Sequence, residues 1–192
     1  MPDDLLKYLP GLDTLSEEEA NAISSQLSVA SYKKGTVLLK AGEISGMCYF
    51  ILKGCVRQYV MVDGEEKTTA FFTEQQAAVP FTSYTKQEPS AYYFICAEDC
   101  TLVEGDIKKE QGMYRRFPKL LAITRAVMEQ DLGKTQEAFS LFITSSPEER
   151  YLNLLRTRPE LLQRVPLHQV ASYLGMTPES LSRIRKRTSR HS

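Results

Sequence analysis

The sequence has no tryptophan and only two histidines, His168 and His191, so chemistry that needs an imidazole has little choice of residue. His168 falls in an expected helix and His191 in the tail, and neither joins a Ser-His-Asp set, a metal cluster or a phosphate-cradling glycine loop. An enzyme is therefore the poorest reading. Long apolar runs are missing too, and a membrane span would need roughly 18 to 20 such residues. The start, Met1-Pro2-Asp3-Asp4, is acidic where a secretory signal is basic, so a cytoplasmic protein is expected. Net charge is absent: 24 basic and 24 acidic residues cancel, which excludes a chain drawn to nucleic acid by its overall charge. Cysteine is sparse. Cys48, Cys55, Cys96 and Cys100 give the spacings C-x6-C and C-x3-C, which match no common zinc or redox pattern. Each borders an apolar run, so buried reduced thiols are expected and no metal.

What is present suits one large domain or two small ones: 192 residues, 42% hydrophobic and 25% charged. The first helix is announced by Ser16 as N-cap and Glu19 as the far corner of a capping box, with Ala20, Ile23 and Leu27 at helical spacing. From about Tyr32 to Asp106 short apolar runs alternate with glycine-centred turns, and Asp63-Gly64 reads as a hairpin turn. This pattern predicts an antiparallel sandwich or barrel. From Phe117 the helical period returns. Pro118 suits a first turn, and Leu121, Met128 and Phe142 fall seven apart in a series that includes Thr135. A helix of roughly 25 residues, about 37 Å long, needs a neighbour, and the seven-residue spacing points to a second copy of the chain. Gly133 and Thr135 make that stripe imperfect. Ser146-Pro147-Glu148-Glu149 starts another helix, carrying Tyr151, Leu154 and Leu155, which should stop before Pro159.

The most informative stretch runs from Pro166 to Lys186. Val170, Ala171 and Leu174 give a short helix an apolar stripe, and Gly175 can take the left-handed conformation of a sharp turn. Thr177 then caps a second helix with Pro178 at its first position, and Leu181 and Ile184 supply the buried side. Helix, glycine turn, helix is the spacing of a DNA-reading helix-turn-helix. Glu179, Ser180 and Arg183 would face base edges: Arg183 can donate twice to guanine, and Glu179 can accept from cytosine. Thr177, Lys186 and Arg187 would hold phosphates. From Thr177 onward five basic residues stand against one acid, a local net charge of +4 on a neutral chain.

These segments together resemble the CRP/FNR family of bacterial regulators over nearly the whole chain. The resemblance rests on Lys33-Lys34-Gly35, Ala41-Gly42-Glu43, Tyr49-Phe50-Ile51-Leu52-Lys53-Gly54-Cys55-Val56-Arg57, the Asp63-Gly64-Glu65-Glu66-Lys67 hairpin and Gly175-x-x-x-Glu179-Ser180-x-x-Arg183. It implies an α+β fold: an N-terminal antiparallel, jelly-roll-like β-roll with flanking helices over 1–116, a long dimerisation helix over 117–143, and a C-terminal winged helix-turn-helix over 144–192. It implies a homodimer on palindromic double-stranded DNA, with RNA polymerase as a further partner.

The match fails in one place. Family members that bind cyclic AMP carry a Gly-Glu pair and, some ten residues on, an Arg that holds the cyclic phosphate. Here the corresponding stretch runs from Ala78 to Ala91, with Pro89 where the Arg should be and Lys86 the only basic residue between Thr73 and Ala91. Loss of the Arg from a buried phosphate pair costs several kcal/mol, so cyclic AMP is not the expected effector. Val79, Pro80, Phe81, Pro89, Ser90 and Ala91 remain candidates for an effector pocket of unknown ligand. The cysteines that hold an iron–sulfur cluster in oxygen-sensing relatives precede the roll, whereas the first here is Cys48. The stretch from Leu155 to Leu167 is short for a two-stranded wing, and the end at Ser192 also suggests a trimmed one. The alternative reading is a small-molecule sensor that regulates a partner protein without touching DNA.

Overall fold

The computed structural model describes residues 15–25 and 27–188. Met1–Asp4, Arg190 and His191 lie outside the described residues. Helix α1 (Glu17–Ser24) begins as its capping box dictates, the Ser16 hydroxyl accepting from the Glu19 N–H and the Glu19 carboxylate from the Ser16 N–H. It ends one turn before Leu27.

Among the described residues eight strands follow: β1 (Ser28–Tyr32), β2 (Val37–Leu39), β3 (Met47–Lys53), β4 (Val56–Val62), β5 (Glu65–Phe72), β6 (Ala77–Ala78), β7 (Tyr93–Cys96) and β8 (Cys100–Asp106). They form two antiparallel sheets of four, ordered β1-β8-β3-β6 and β2-β7-β4-β5. Alternation turns Tyr49, Ile51, Val56, Phe94, Cys96, Cys100 and Leu102 into one apolar core. The β4–β5 hairpin closes at Val62 and Glu65, with Asp63 at φ 52° and Gly64 at φ 80°, the paired left-handed residues of a tight primed turn. One charge is taken inside. Arg57 is 3% exposed; its Nε donates to Thr68 Oγ1 at 2.9 Å and its Nη1 to Glu66 at 2.6 Å, while its guanidinium covers the Tyr59 ring. All four cysteines are free thiols, with Cys55, Cys96 and Cys100 buried and Cys48 half-buried.

Helix α2 (Phe81–Lys86) interrupts the strands, and α3 (Ile107–Arg116) leaves the roll under an Asp106 cap. Helix α4 (Pro118–Thr144) is 27 residues long, with its proline in the first turn as expected. None of its residues is buried, and Leu121, Met128 and Phe142 are 51%, 43% and 38% exposed. No helix among the described residues is long and apolar enough to cross a membrane.

Four helices complete the chain: α5 (Pro147–Thr157), α6 (Leu161–Arg164), α7 (Leu167–Tyr173) and α8 (Pro178–Thr188). Ser146 and Glu149 form the second capping box ahead of α5. No strand lies between α5 and α7 among the described residues: the Leu155–Leu167 stretch, short for a two-stranded wing, holds the single turn of α6. The helices pack on one another and on the roll. Cys55, Phe71 and Ala97 share a single apolar cluster with Tyr151, Leu161 and Val170.

Candidate nucleic-acid interface

The second apolar cluster exists because α7 and α8 cross closely. Ala171, fully buried, is small where the helices meet, and Val170, Leu174, Leu181 and Ile184 close around it with Tyr151 and Leu154 of α5. The turn between them depends on Gly175, at φ +68°. A Cβ there would also come within 2.9 Å of the Phe142 ring and 3.0 Å of the Arg150 guanidinium. Arg150 explains that crowding. It lies 4.0 Å from the Phe142 ring centroid and donates to the carbonyls of Ser145 (3.2 Å) and Leu174 (3.0 Å). One side chain thus ties the end of α4, the α4–α5 joint and the turn of the motif.

With Leu181 and Ile184 inward, the opposite face of α8 is free for solvent. Glu179 and Arg183 are exposed and Ser180 is half-buried. Thr177 caps α8, its Oγ1 accepting from the Ser180 N–H at 3.2 Å. The Thr177 hydroxyl donates to Ser180 Oγ, which also accepts from Arg183 Nη2, both at 3.2 Å. Thr177, Ser180 and Arg183 therefore form a connected row along the helix start, with Glu179 beside it. The backbone N–H of Glu179 at the helix start, the Thr177 hydroxyl and Arg183 hold the Glu179 carboxyl below the usual carboxylate range, so it stays ionised near neutral pH. Lys186 is exposed toward the C-terminal end. Arg187, expected on phosphate, is engaged by Glu148 of α5 (Nε to Oε1 3.1 Å, Nη2 to Oε2 2.5 Å), an ion pair that a phosphate would have to displace.

The candidate effector residues flank α2, and the polar groups of Ser90 are occupied locally. Pro80 precedes α2, and Phe81 is half exposed. Pro89 bridges to Ile44. The Ser90 N–H donates to the Glu43 carbonyl and the Ser90 carbonyl accepts from the Gly42 N–H, both at 2.8 Å; its hydroxyl donates to Tyr92 O at 3.0 Å. On the other side, Ser45 N–H donates to Ser83 Oγ at 2.8 Å, and Gln87 Nε2 donates to Ser45 O and Tyr84 O. The segment from Gly42 to Ser45 is thus a strap bonded to Ser83 and Gln87 at α2 and to Pro89 and Ser90. A cleft of about 410 Å³ lies elsewhere, lined by Lys53, Gly54, Glu74, Glu98, Asp99 and Arg164, and none of the candidate effector residues reaches it.

Sequence reasoning missed Arg150, Arg158 and Arg164. Arg158 Nη1 donates to Phe71 O at 3.0 Å and Nη2 to Thr73 Oγ1 at 3.2 Å. Arg164 holds Glu74 through a two-bond fork (2.8 and 2.9 Å) and Glu98 through Nε at 2.9 Å. The acceptors of Arg158 and Arg164 lie 66 to 90 residues away and the Leu174 carbonyl 24 residues from Arg150, so no local pattern revealed these roles.

Residues 29–114 match the family of cyclic nucleotide-binding domains. No curated protein matches the sequence. Solved structures share its architecture over most of its length. The c-di-GMP-responsive global regulator CLP of Xanthomonas campestris superposes at TM-score 0.71 and 17% identity, covering 92% of this chain and 93% of its own. The Thermus thermophilus catabolite activator protein gives TM-score 0.57 and 19% identity over 96% of this chain and 87% of its own. FixK2 of Bradyrhizobium japonicum gives 0.68 and 17% over 86% and 85%.

Proposed function

We infer that this chain, which has the CRP/FNR fold with a cyclic nucleotide-binding-type domain over residues 29–114, is a sequence-specific DNA-binding transcription regulator rather than an enzyme. The observation that carries this is the exposed row of Thr177, Ser180 and Arg183 with ionised Glu179 beside it, on a helix whose other face is locked by Leu181 and Ile184. Arg183 and Glu179 read base edges from the major groove, while Thr177 and Lys186 contact phosphates and set register. Arg187 joins them on release from Glu148. Two chains pair along α4, whose exposed Leu121, Met128 and Phe142 repeat at seven residues, and this brings two reading helices about 34 Å apart on an inverted repeat. RNA polymerase is the further partner that such a regulator addresses from the promoter.

The roll belongs to a nucleotide-binding family, and one similar structure is of a c-di-GMP-responsive regulator. In this chain the Ala78–Ala91 stretch offers no Arg to a phosphate, its one cation being Lys86, and Ser83, Gln87 and Ser90 are already bonded to the strap from Gly42 to Ser45. Cyclic AMP is therefore not the effector, and DNA is bound without it. The test is selection of duplexes from a randomised library by the purified protein with no ligand added. An enriched inverted repeat, bound with an affinity that falls steeply with salt, is expected. A folded dimer that enriches no sequence, with or without cyclic AMP, would sink the proposal.

A further inference from the structure

We propose that α6, the turn standing where a wing would be, is a docking element, and that Arg164 is the positioning residue that fastens the DNA-reading module to the roll of its own chain. The functional half of this proposal rests on the DNA-reading assignment above; the structural half does not.

Arg164 sits between two carboxylates of the roll. Its Nη1 and Nη2 fork onto Glu74 at 2.8 and 2.9 Å, and its Nε donates to Glu98 at 2.9 Å, with a further short contact from Nη2 to Glu98. A guanidinium can serve two carboxylates in this way because its donors lie in one plane; an ammonium cannot. The roll is arranged to receive it. Glu74 also accepts from the Gly54 N–H at 2.9 Å, which fixes the carboxylate before Arg164 arrives. The Arg164 side chain is only 20% exposed, so solvent screens the set less than it screens an ordinary surface pair.

The clamp does not act alone. Leu161 opens α6 and is fully buried in the cluster that includes Cys55, Phe71 and Ala97 of the roll. Phe71 meets Tyr173 of α7 edge to face at 5.4 Å between ring centroids. The Thr68 N–H of β5 donates to Ser172 Oγ at 2.9 Å. Arg158 reaches Phe71 O and Thr73 from the other end. The motif therefore rests on the roll through α6 and through Ser172 and Tyr173 of α7, leaving Glu179 and Arg183 of α8 exposed. Docking holds the reading face in one orientation instead of letting it swing on the Ser145–Ser146 joint. A loose module would spend part of its time misoriented, and its apparent affinity would drop by the fraction of correctly held molecules.

Cys55 offers a built-in probe. It is fully buried in the shared cluster, whereas Cys96 and Cys100 belong to the core of the roll itself. The experiment uses the full-length protein and an alkylating reagent, with the labelled cysteines identified by peptide mass spectrometry. In Arg164→Ala, and equally in the double variant Glu74→Gln/Glu98→Gln, Cys55 labelling is expected to rise at least about tenfold while Cys96 and Cys100 stay protected. Both variants should bind the selected duplex about three- to tenfold more weakly, although Glu74 and Glu98 belong to the roll and not to the DNA-reading helices. Arg164→Lys, which keeps the charge but loses the fork, should fall between. Unchanged protection of Cys55 in Arg164→Ala would overturn the clamp. A released Cys55 with DNA binding unchanged or tighter would overturn the positioning role. If the wild-type protein selects no duplex, the DNA-reading assignment fails, and the labelling result still decides the docking.

Discussion

Two regions of this molecule use their polar side chains in opposite ways. Around α2, Ser45, Ser83, Gln87 and Ser90 bond one another and nearby carbonyls; Ser83 is 2% exposed and Ser90 6%. Along α8, Glu179, Arg183 and Lys186 are exposed, and the row of Thr177, Ser180 and Arg183 is bonded at the surface of the helix. Polar groups satisfied from within hold a loop in shape and leave little for a ligand, since every bond to a newcomer must replace one already made. Groups at a rigid surface cost less to recruit. The roll has its polar groups turned inward around α2, and the helix-turn-helix has its own turned to the surface along α8.

The sharpest way to break this contrast is to empty the motif from within. Leu181→Ala should cost about 2–5 kcal/mol of stability, because the side chain is 1% exposed and lies where α8 joins the shared cluster; denaturant unfolding measures it, and a cost below 1 kcal/mol would mean the site collapses freely. The two regions can then be set side by side. Arg183→Ala should remove about 1–3 kcal/mol of discrimination at one base pair of each half-site, with the unfolding midpoint unmoved. Ser83→Ala should do the reverse, lowering stability by about 1–3 kcal/mol as the Ser45 N–H loses its acceptor, with sequence preference intact. Equal effects of both on DNA selectivity would erase the distinction. Lys186→Ala is smaller, weakening all duplexes alike and reducing the salt slope by about 1.

The least visible effect is that of acid on the docking. Burial works against the charge on Glu74, but Arg164 and the Gly54 N–H outweigh it and hold the carboxyl at about 2 against the usual 4.5. A folded-state value below the unfolded one gives a contribution that is full above pH 4.5 and fades as pH falls toward 2. Cys55 should therefore become easier to label through that window, read at each pH with a pyridyl disulfide, which still reacts with accessible thiols in acid. Glu74→Gln should flatten the dependence.

Features written in neighbouring residues were legible in the sequence. The Ser16–Glu19 capping box, the helix start at Ser146-Pro147, the Asp63-Gly64 turn, the long helix after Pro118 and the helix-turn-helix are local patterns, and each stands in the structure where it was expected. What could not be read depends on distant partners. Arg164 finds Glu98 and Glu74 across 66 and 90 residues, and Ser83 finds Ser45 across 38. Helices α2 and α6 have no strong period of their own; they are short turns completed by those long-range bonds. The stretch from Leu155 to Leu167 was legible as too short for a two-stranded wing, and the few residues between Pro159 and Pro166 form only a turn. In the candidate interface the exposed face of α8 was legible, but the pairing of Arg187 with Glu148 was not.

Phe142 stands where two features of the chain meet. It stands on the seven-residue line of α4, and its ring lies under Arg150 and against the space that Gly175 leaves vacant. If α4 pairs with a second copy, a change in supercoil of about 20°, the drift of a straight helix over one heptad, would carry a side chain at a radius of about 5–6 Å through roughly 2 Å. The Arg150 contacts have no slack of that size, so the turn ahead of α8 would have to follow. The long helix then works as a shaft with the reading helix geared to its end, and Phe142 is the tooth where they mesh.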